Sequence, residues 1–372
     1  MAPVVKKVES ELTLKSITCV TGQHRSMLDQ VLGLFDITPD YDLSVMEHNQ
    51  NLNMLLSRIV EKIDDVLMKA QPDCVLVHGD TTTALAASLA AFHRNIKVGH
   101  VEAGLRTYNL AQPWPEEFNR RIIDISSSYL FAPTQKNSDN LRAEQTAGKI
   151  FITGNTVIDA LKQIVDRINT NPKIKADLCS KFSFLDSSRR LLLVTGHRRE
   201  SFGAGFAKIC TALKKLSGRD DLQIVYPVHL NPNVRGPVYE SLSGLSNVYL
   251  IEPQEYLAFV YLMSRADIIL TDSGGVQEEA PSLGKPVLVM RDVTERPEAA
   301  EAGIVRLVGL DIERITAEVE RLLDDPSYYM GISRILNPYG DGLAAQRICA
   351  ALLGKMPDPF SFSNTETIRY ER

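Results

Sequence analysis

No stretch of the 372-residue sequence approaches the roughly 18 consecutive apolar residues of a membrane span, and the start Met-Ala-Pro-Val-Val-Lys-Lys carries no signal-peptide core. No membrane partner is expected, and a cytoplasmic location is. The cysteines Cys19, Cys74, Cys179, Cys210 and Cys349 are scattered without a C-x-x-C pair, which argues against a structural zinc site or a disulfide framework and fits a reducing compartment. No metal site is expected. Charge of either sign never runs long. With 41 basic and 46 acidic residues the formal net charge is −5, so an extended grip on nucleic acid is disfavoured, whereas a small anionic ligand is not. Repeats of solenoid period and low-complexity tracts are lacking as well.

The length favours two domains, and a hydrophobic content of 44% suffices to bury both cores. Short β-rich runs alternate with helical patterns: Ser16–Val20, Asp73–His78, Lys97–Val101, Tyr129–Ala132, Ile150–Thr153, Leu191–Thr195, Gln223–Pro227, Val248–Ile251, Asp267–Leu270 and Pro286–Met290. Several of these, such as Cys74-Val-Leu-Val77, are apolar at consecutive positions, as parallel strands covered on both faces should be. A helical pattern over Val157–Ile168 and a polar stretch with Asn171-Pro172 mark a domain junction. The expected fold class is α/β, with two doubly wound domains binding ligand at the carboxyl ends of their strands.

The segment Thr271-Asp-Ser-Gly-Gly-Val-Gln-Glu-Glu279 follows an apolar run and precedes a helical stretch, the layout of an anion site. Its two glycines would permit positive φ and close backbone approach, and its glutamates could accept ribose hydroxyls. Four other strand ends and one helix start carry carboxylates or histidines. Asp80 follows the run ending at His78, at the expected N-cap of the next helix; Glu102 and Arg106 follow the run ending at Val101; Glu116 and Glu117 open a helix after Pro113-Trp-Pro115. Each has an ordinary structural explanation as a cap or surface ion pair. Together, three carboxylates at one sheet edge oppose one another's ionisation, a cost that general acid–base work would justify. In the second domain His197, Arg198 and Arg199 end a strand, where they suit a diphosphate leaving group, and His229 follows the next strand. Gly203-Ala-Gly205 lacks the full dinucleotide spacing, so no nicotinamide or other cofactor is assigned.

In order along the chain, His78-Gly-Asp-Thr-Thr-Thr, His100-Val-Glu-Ala-Gly-Leu-Arg-Thr, Pro113-Trp-Pro-Glu-Glu, Thr195-Gly-His-Arg-Arg-Glu, Pro253-Gln-Glu-Tyr, Asp272-Ser-Gly-Gly-Val-Gln-Glu-Glu-Ala and Thr294-Glu-Arg-Pro-Glu resemble the motifs of bacterial non-hydrolysing UDP-N-acetylglucosamine 2-epimerases. The resemblance implies two Rossmann-like domains in a GT-B arrangement, residues 1–160 with 341–372 and residues 161–340, the C-terminal helix returning to the first. It implies a homodimer and interconversion of UDP-N-acetylglucosamine and UDP-N-acetylmannosamine without a cofactor, for surface polysaccharide precursors. Asp80, Glu102 and Glu116 are then the acid–base candidates, and His197 the group at the departing diphosphate. The nucleotide is expected at Gln254 and Phe259 (uracil), Ser273, Gly274 and Gly275 (phosphate), and Glu279 with Arg296 (ribose and phosphate). Arg106 and Arg198 are further substrate-binding candidates. Gln23, His24, Arg58, Arg199 and His229 match the neighbourhood where some members bind a second, activating UDP-N-acetylglucosamine. The family's first strand and its Gly-Thr-Arg-Pro-Glu loop have no counterpart, so the first sheet is expected to be a strand short and Met1 to be an internal methionine of a longer natural chain. A UDP-sugar-binding protein without turnover, a hydrolysing epimerase and a GT-B glycosyltransferase are the competing readings.

Overall fold

The computed structural model describes residues 1–23, 25–47, 50–198, 202–294 and 296–362, and the chain divides into two units, Met1–Ala160 with Gly340–Ser361, and Leu161–Tyr339. In the first unit β3 (Cys74–His78), β4 (Lys97–Val101), β5 (Tyr129–Ala132) and β6 (Lys149–Ile152) form a parallel sheet in that order. A separate parallel pair joins β1 (Cys19–Val20) to β2 (Tyr41–Asp42). Helices cover the larger sheet on both sides. The alanine-rich helix Thr82–His93 lies against helix Leu52–Ala70 in one core with Val77 and Val98, its small side chains permitting close approach. Helices Ala2–Glu9 and Ala344–Leu352 share the other core with Val101, Phe131 and Phe151. Asp159 ties the C-terminal segment down by accepting the N–H groups of Ala344 and Ala345 at 3.2 and 2.8 Å.

The second unit is a six-stranded parallel sheet in the order β12-β11-β10-β7-β8-β9. Its strands are β7 (Arg190–Thr195), β8 (Leu222–Pro227), β9 (Val248–Ile251), β10 (Ile268–Thr271), β11 (Val287–Val289) and β12 (Val305–Leu307). The chain builds outward from β7 through β8 to β9, then returns to lay β10 on the other side of β7. The carboxyl ends of β7 and β10 therefore flank the point where strand order reverses, the preferred ligand position in such sheets.

Two short strands, β2 and β12, have no counterpart in the sequence-based reading; two or three residues are too few for a periodic signal. The polar junction also contains a helix, Pro172–Lys181, whose N-cap Asn171 accepts the N–H groups of Lys173 and Ile174. Asn-Pro there is a helix start rather than a turn.

Candidate active site

The ends of β3 and β4 are adjacent, with His78 opposite Val101 in the ladder, and this register brings Asp80 and Glu102 to one sheet edge. Asp80 is not the cap of the next helix. Thr81 holds that position, its hydroxyl accepting the N–H of Ala84, which leaves the Asp80 carboxylate to receive Arg120 Nη2 at 2.6 Å. Asn119 donates to the Asp80 carbonyl at 2.8 Å. Glu102 has a positive φ of 73°, uncommon for a residue with a side chain, and its Oε2 lies 3.5 Å from His78 Nε2. That nitrogen is buried without a hydrogen-bond partner, and burial holds the His78 imidazole well below its usual range, so His78 is neutral. Asn155 reaches the other oxygen of Glu102 at 3.5 Å. Glu116 opens helix Glu116–Ser126 and is partly exposed, whereas the adjacent Glu117 is buried and accepts the N–H groups of Thr107 and Tyr108 at 3.0 and 3.1 Å.

Arg106 corrects an expectation. Its side chain has no exposed surface and is spent on Asp124 and Glu144, each at 2.7 Å from Nη2, so it presents no cation to a ligand. A sequence shows that an arginine is near a sheet edge but not which acid will claim it. The residues that sequence reasoning missed here are Arg120 and Asp124. With Glu117 they form a polar stripe at i, i+3 and i+7 along one helix, and all three are buried. That spacing was the available signal, since it puts charge where an apolar stripe would ordinarily lie.

In the second unit Thr195 and Thr271 end neighbouring strands and their hydroxyls meet at 2.6 Å. Beyond them Asp272, fully buried, accepts the N–H groups of His197 and Arg198 through Oδ2, both at 2.8 Å. Its Oδ1 has no hydrogen-bond partner and faces His197 Nδ1 at 3.3 Å. The His197 ring is 43% exposed and stacks on His229 with ring centres 5.7 Å apart, so two of the expected histidines converge. Ser273 occupies the N-cap position of helix Gly274–Glu279 without a side-chain capping bond, and neither Gly274 nor Gly275 takes a positive φ. Gly274 is needed for clearance instead: a Cβ there would lie 2.8 Å from Arg296 Nη1.

Arg296 donates from Nε to Glu278, and Glu279 accepts the hydroxyl of Tyr256. Both glutamates are buried, which pushes the Glu279 carboxyl up to about 7 and raises Glu278 as well, against the pull of Arg296. Gln254 donates to the Glu252 carbonyl, while its Oε1 is buried without a partner. Phe259 is half-buried on the following helix, Tyr256–Arg265. Of the remaining expectations, Gln23 accepts the hydroxyl of Thr83 at 3.0 Å and Arg58 binds Glu47 at 2.6 Å; His24 and Arg199 lie outside the described residues. Among the described residues no group of acidic, histidine and cysteine side chains is arranged to hold a metal ion, and no helix is long and apolar enough to cross a membrane.

The family profile for UDP-N-acetylglucosamine 2-epimerase matches residues 6–353. The chain belongs to that family. The UDP-N-acetylglucosamine 2-epimerase of Escherichia coli strain K12 is 56% identical over 354 residues, which span 95% of this chain and 94% of that protein. The solved structure of UDP-GlcNAc 2-epimerase from Neisseria meningitidis, bound to UDP-GlcNAc, is 51% identical and superposes with a TM-score of 0.87, covering 95% of this chain and 96% of that one. A putative UDP-N-acetylglucosamine 2-epimerase from Listeria monocytogenes gives a TM-score of 0.88 at 42% identity, over 97% and 95% of the two chains. The fold is accordingly α/β with parallel sheets, of the GT-B type seen in these epimerases.

Proposed function

We infer that the chain inverts C2 of UDP-N-acetylglucosamine reversibly, giving UDP-N-acetylmannosamine, and that it does so by elimination and readdition of UDP. Membership of the epimerase family across residues 6–353 carries the reading. The chemistry explains the residue types. C2 has no neighbouring carbonyl to acidify its proton, so departure of UDP from C1 must supply the driving force. As the C1–O bond breaks, its electron pair goes to the diphosphate; a carboxylate takes the C2 proton, and the C1–C2 double bond of 2-acetamidoglucal forms. In the return step a UDP oxygen bonds again to C1 and a proton reaches the opposite face of C2. Asp80, Glu102 and Glu116 share the proton transfers in this assignment, supported by the meeting of the first two at one sheet edge beside Arg120 and His78. His197, backed by Asp272, serves the departing diphosphate with Arg198. Ser273, Gly274, Gly275 and Arg296 are assigned to phosphate, Glu279 to ribose, and Gln254 and Phe259 to uracil. The buried, unpaired Oε1 of Gln254 favours a ligand donor at that point.

A proton-resolved NMR time course in D₂O tests the function. Deuterium at C2 of both sugars is the expected result. A binding protein would leave C2 unlabelled, a hydrolysing epimerase would release free N-acetylmannosamine, and a glycosyltransferase would require an acceptor; none of these is favoured by the matches. We also propose a homodimer, supported by an apolar recess on the first unit lined by Leu56, Val60 and Leu89, and by the exposed Leu52, Met54 and Phe92 on the same two helices, Leu52–Ala70 and Thr82–His93. Light scattering on Phe92→Lys, expected to shift the protein toward monomer, checks this. A cytoplasmic location is supported by five free cysteines. The activating role assigned to Gln23, Arg58 and His229 rests on the resemblance, and sigmoidal dependence on UDP-N-acetylglucosamine would be its signature.

A further inference from the structure

Asp124 has no part in the chemistry assigned above, yet it is wholly buried and accepts from three directions. Its Oδ1 lies 2.6 Å from His100 Nδ1; its Oδ2 receives the N–H of Gly104 at 3.2 Å and Arg106 Nη2 at 2.7 Å. The other ring nitrogen of His100, Nε2, lies 2.9 Å from the carbonyl oxygen of Gly79. A carbonyl cannot donate, so Nε2 carries a proton. The His100 ring therefore bridges the Gly79 carbonyl to the Asp124 carboxyl group. The two carboxylates are paired with two guanidiniums, Asp124 and Glu144 with Arg106 and Glu144 also with Arg121 at 3.8 Å, which makes the burial of Asp124 and Arg106 tolerable.

Each bond of this cluster lands on a segment bearing one of the proposed acid–base groups. Gly79 immediately precedes Asp80, Gly104 follows Glu102 by two residues, and Asp124 sits on the helix that Glu116 opens. Both loops turn through positive φ, 66° at Gly79, 73° at Glu102 and 86° at Gly104, and the value at Glu102 is one that a residue with a side chain seldom adopts. We propose that Asp124, acting through His100 and Gly104, is a positioning residue that fixes Asp80, Glu102 and Glu116 relative to one another. The proposal rests on the acid–base assignment above.

The test compares Asp124→Asn, His100→Gln and the double variant in the full-length protein. Asp124→Asn is expected to lower kcat by about 10²-fold, the scale of a displacement near 1 Å, with KM within about threefold. The affinity for UDP, assigned to the other unit, should not change. Because both residues act through one tether, the double variant should lose no more than the worse single variant. In the wild-type protein, ¹⁵N spectra of the His100 ring should show Nε2 carrying the proton it donates to the Gly79 carbonyl. Unchanged kcat in Asp124→Asn, a parallel fall in kcat and UDP affinity, additive losses, or a ring without a proton on Nε2 would each overturn the proposal. The spectrum needs no variant to fold. Should the wild-type protein fail to label C2 in D₂O, the functional reading falls, while the spectrum still decides the state of His100.

Discussion

Asp80 owes its availability to its neighbour: because the Thr81 hydroxyl caps the helix, the carboxylate one residue earlier is released from that task and meets Arg120 instead. Asp80→Asn, Glu102→Gln and Glu116→Gln should each lower kcat by about 10² or more while thermal midpoints stay near wild type. If Asp80 or Glu116 were only terminal helix residues, the pattern would reverse, with about 1 kcal/mol of stability lost and little change in rate. His197→Ala should separate two quantities, slowing turnover by about 10²–10³ but weakening UDP binding only slightly, since charge on the diphosphate grows as the C1–O bond breaks. Equal losses would reduce His197 to uniform binding. Glu279 makes a pH prediction. Its carboxyl is raised from the ordinary 4.5 to about 7, first by burial, so its stabilising contribution is fully present below about 4.5 and is lost as pH rises through about 7. Chemical denaturation at pH 5 and pH 8 should show a loss on the order of 3 kcal/mol that is absent in Glu279→Gln. Strand-end position made Asp80, Glu102 and His197 legible in the sequence. Arg106 was misjudged because the acids that bind it, Asp124 and Glu144, lie 18 and 38 residues further on, and only folding brings them near.

At the scale of elements, the apolar runs disclosed most of the parallel strands to within a residue or two, because a strand covered on both faces has no polar alternation to obscure it. Strands of two or three residues and the helix after Asn171 were not legible, since too little of the periodic pattern exists to count. The start of helix Glu116–Ser126 was legible, but the burial of Glu117, Arg120 and Asp124 on it was not, because burial of charge depends on partners from other segments. The short helix after β10 was foreseen, but the purpose of its first glycine was not. Gly274 leaves room for the Arg296 guanidinium rather than for a left-handed turn. Gly274→Ala, with a Cβ closer than 3 Å to that guanidinium, should displace Arg296 and weaken UDP binding, measured by calorimetry, by about tenfold or about 1.4 kcal/mol. Arg296→Ala should reproduce much of that loss without the crowding.

For the molecule as a whole, the proposed division of labour between the two units makes UDP alone a selective probe of that assignment. Its expected contacts all fall on Leu161–Tyr339, at the ends of β7 and β10 and in the loops and helices that follow β9, β10 and β11. At 100 times its dissociation constant UDP should stabilise the unit that binds it by about 2.7 kcal/mol. Hydrogen exchange should accordingly slow at residues 195–198 and 271–279, and leave residues 79–83 and 102–107 unchanged. Protection of both sets by UDP would contradict the assignment of the nucleotide to one unit.

The hydrogen-bonded cluster of Asp124, His100, Arg106 and Glu144 also bears on descent. Removing one partner from a buried, paired set leaves an uncompensated charge at about 3–5 kcal/mol, a large share of the stability of an ordinary domain. Lineages can leave this arrangement only by changing two of its members together, or by passing through a poorly folded intermediate. Positions 100, 106, 124 and 144 should therefore covary among relatives, persisting as a set or vanishing as a set, and an alignment in which they change independently would show that evolution has found a cheaper way to hold these loops.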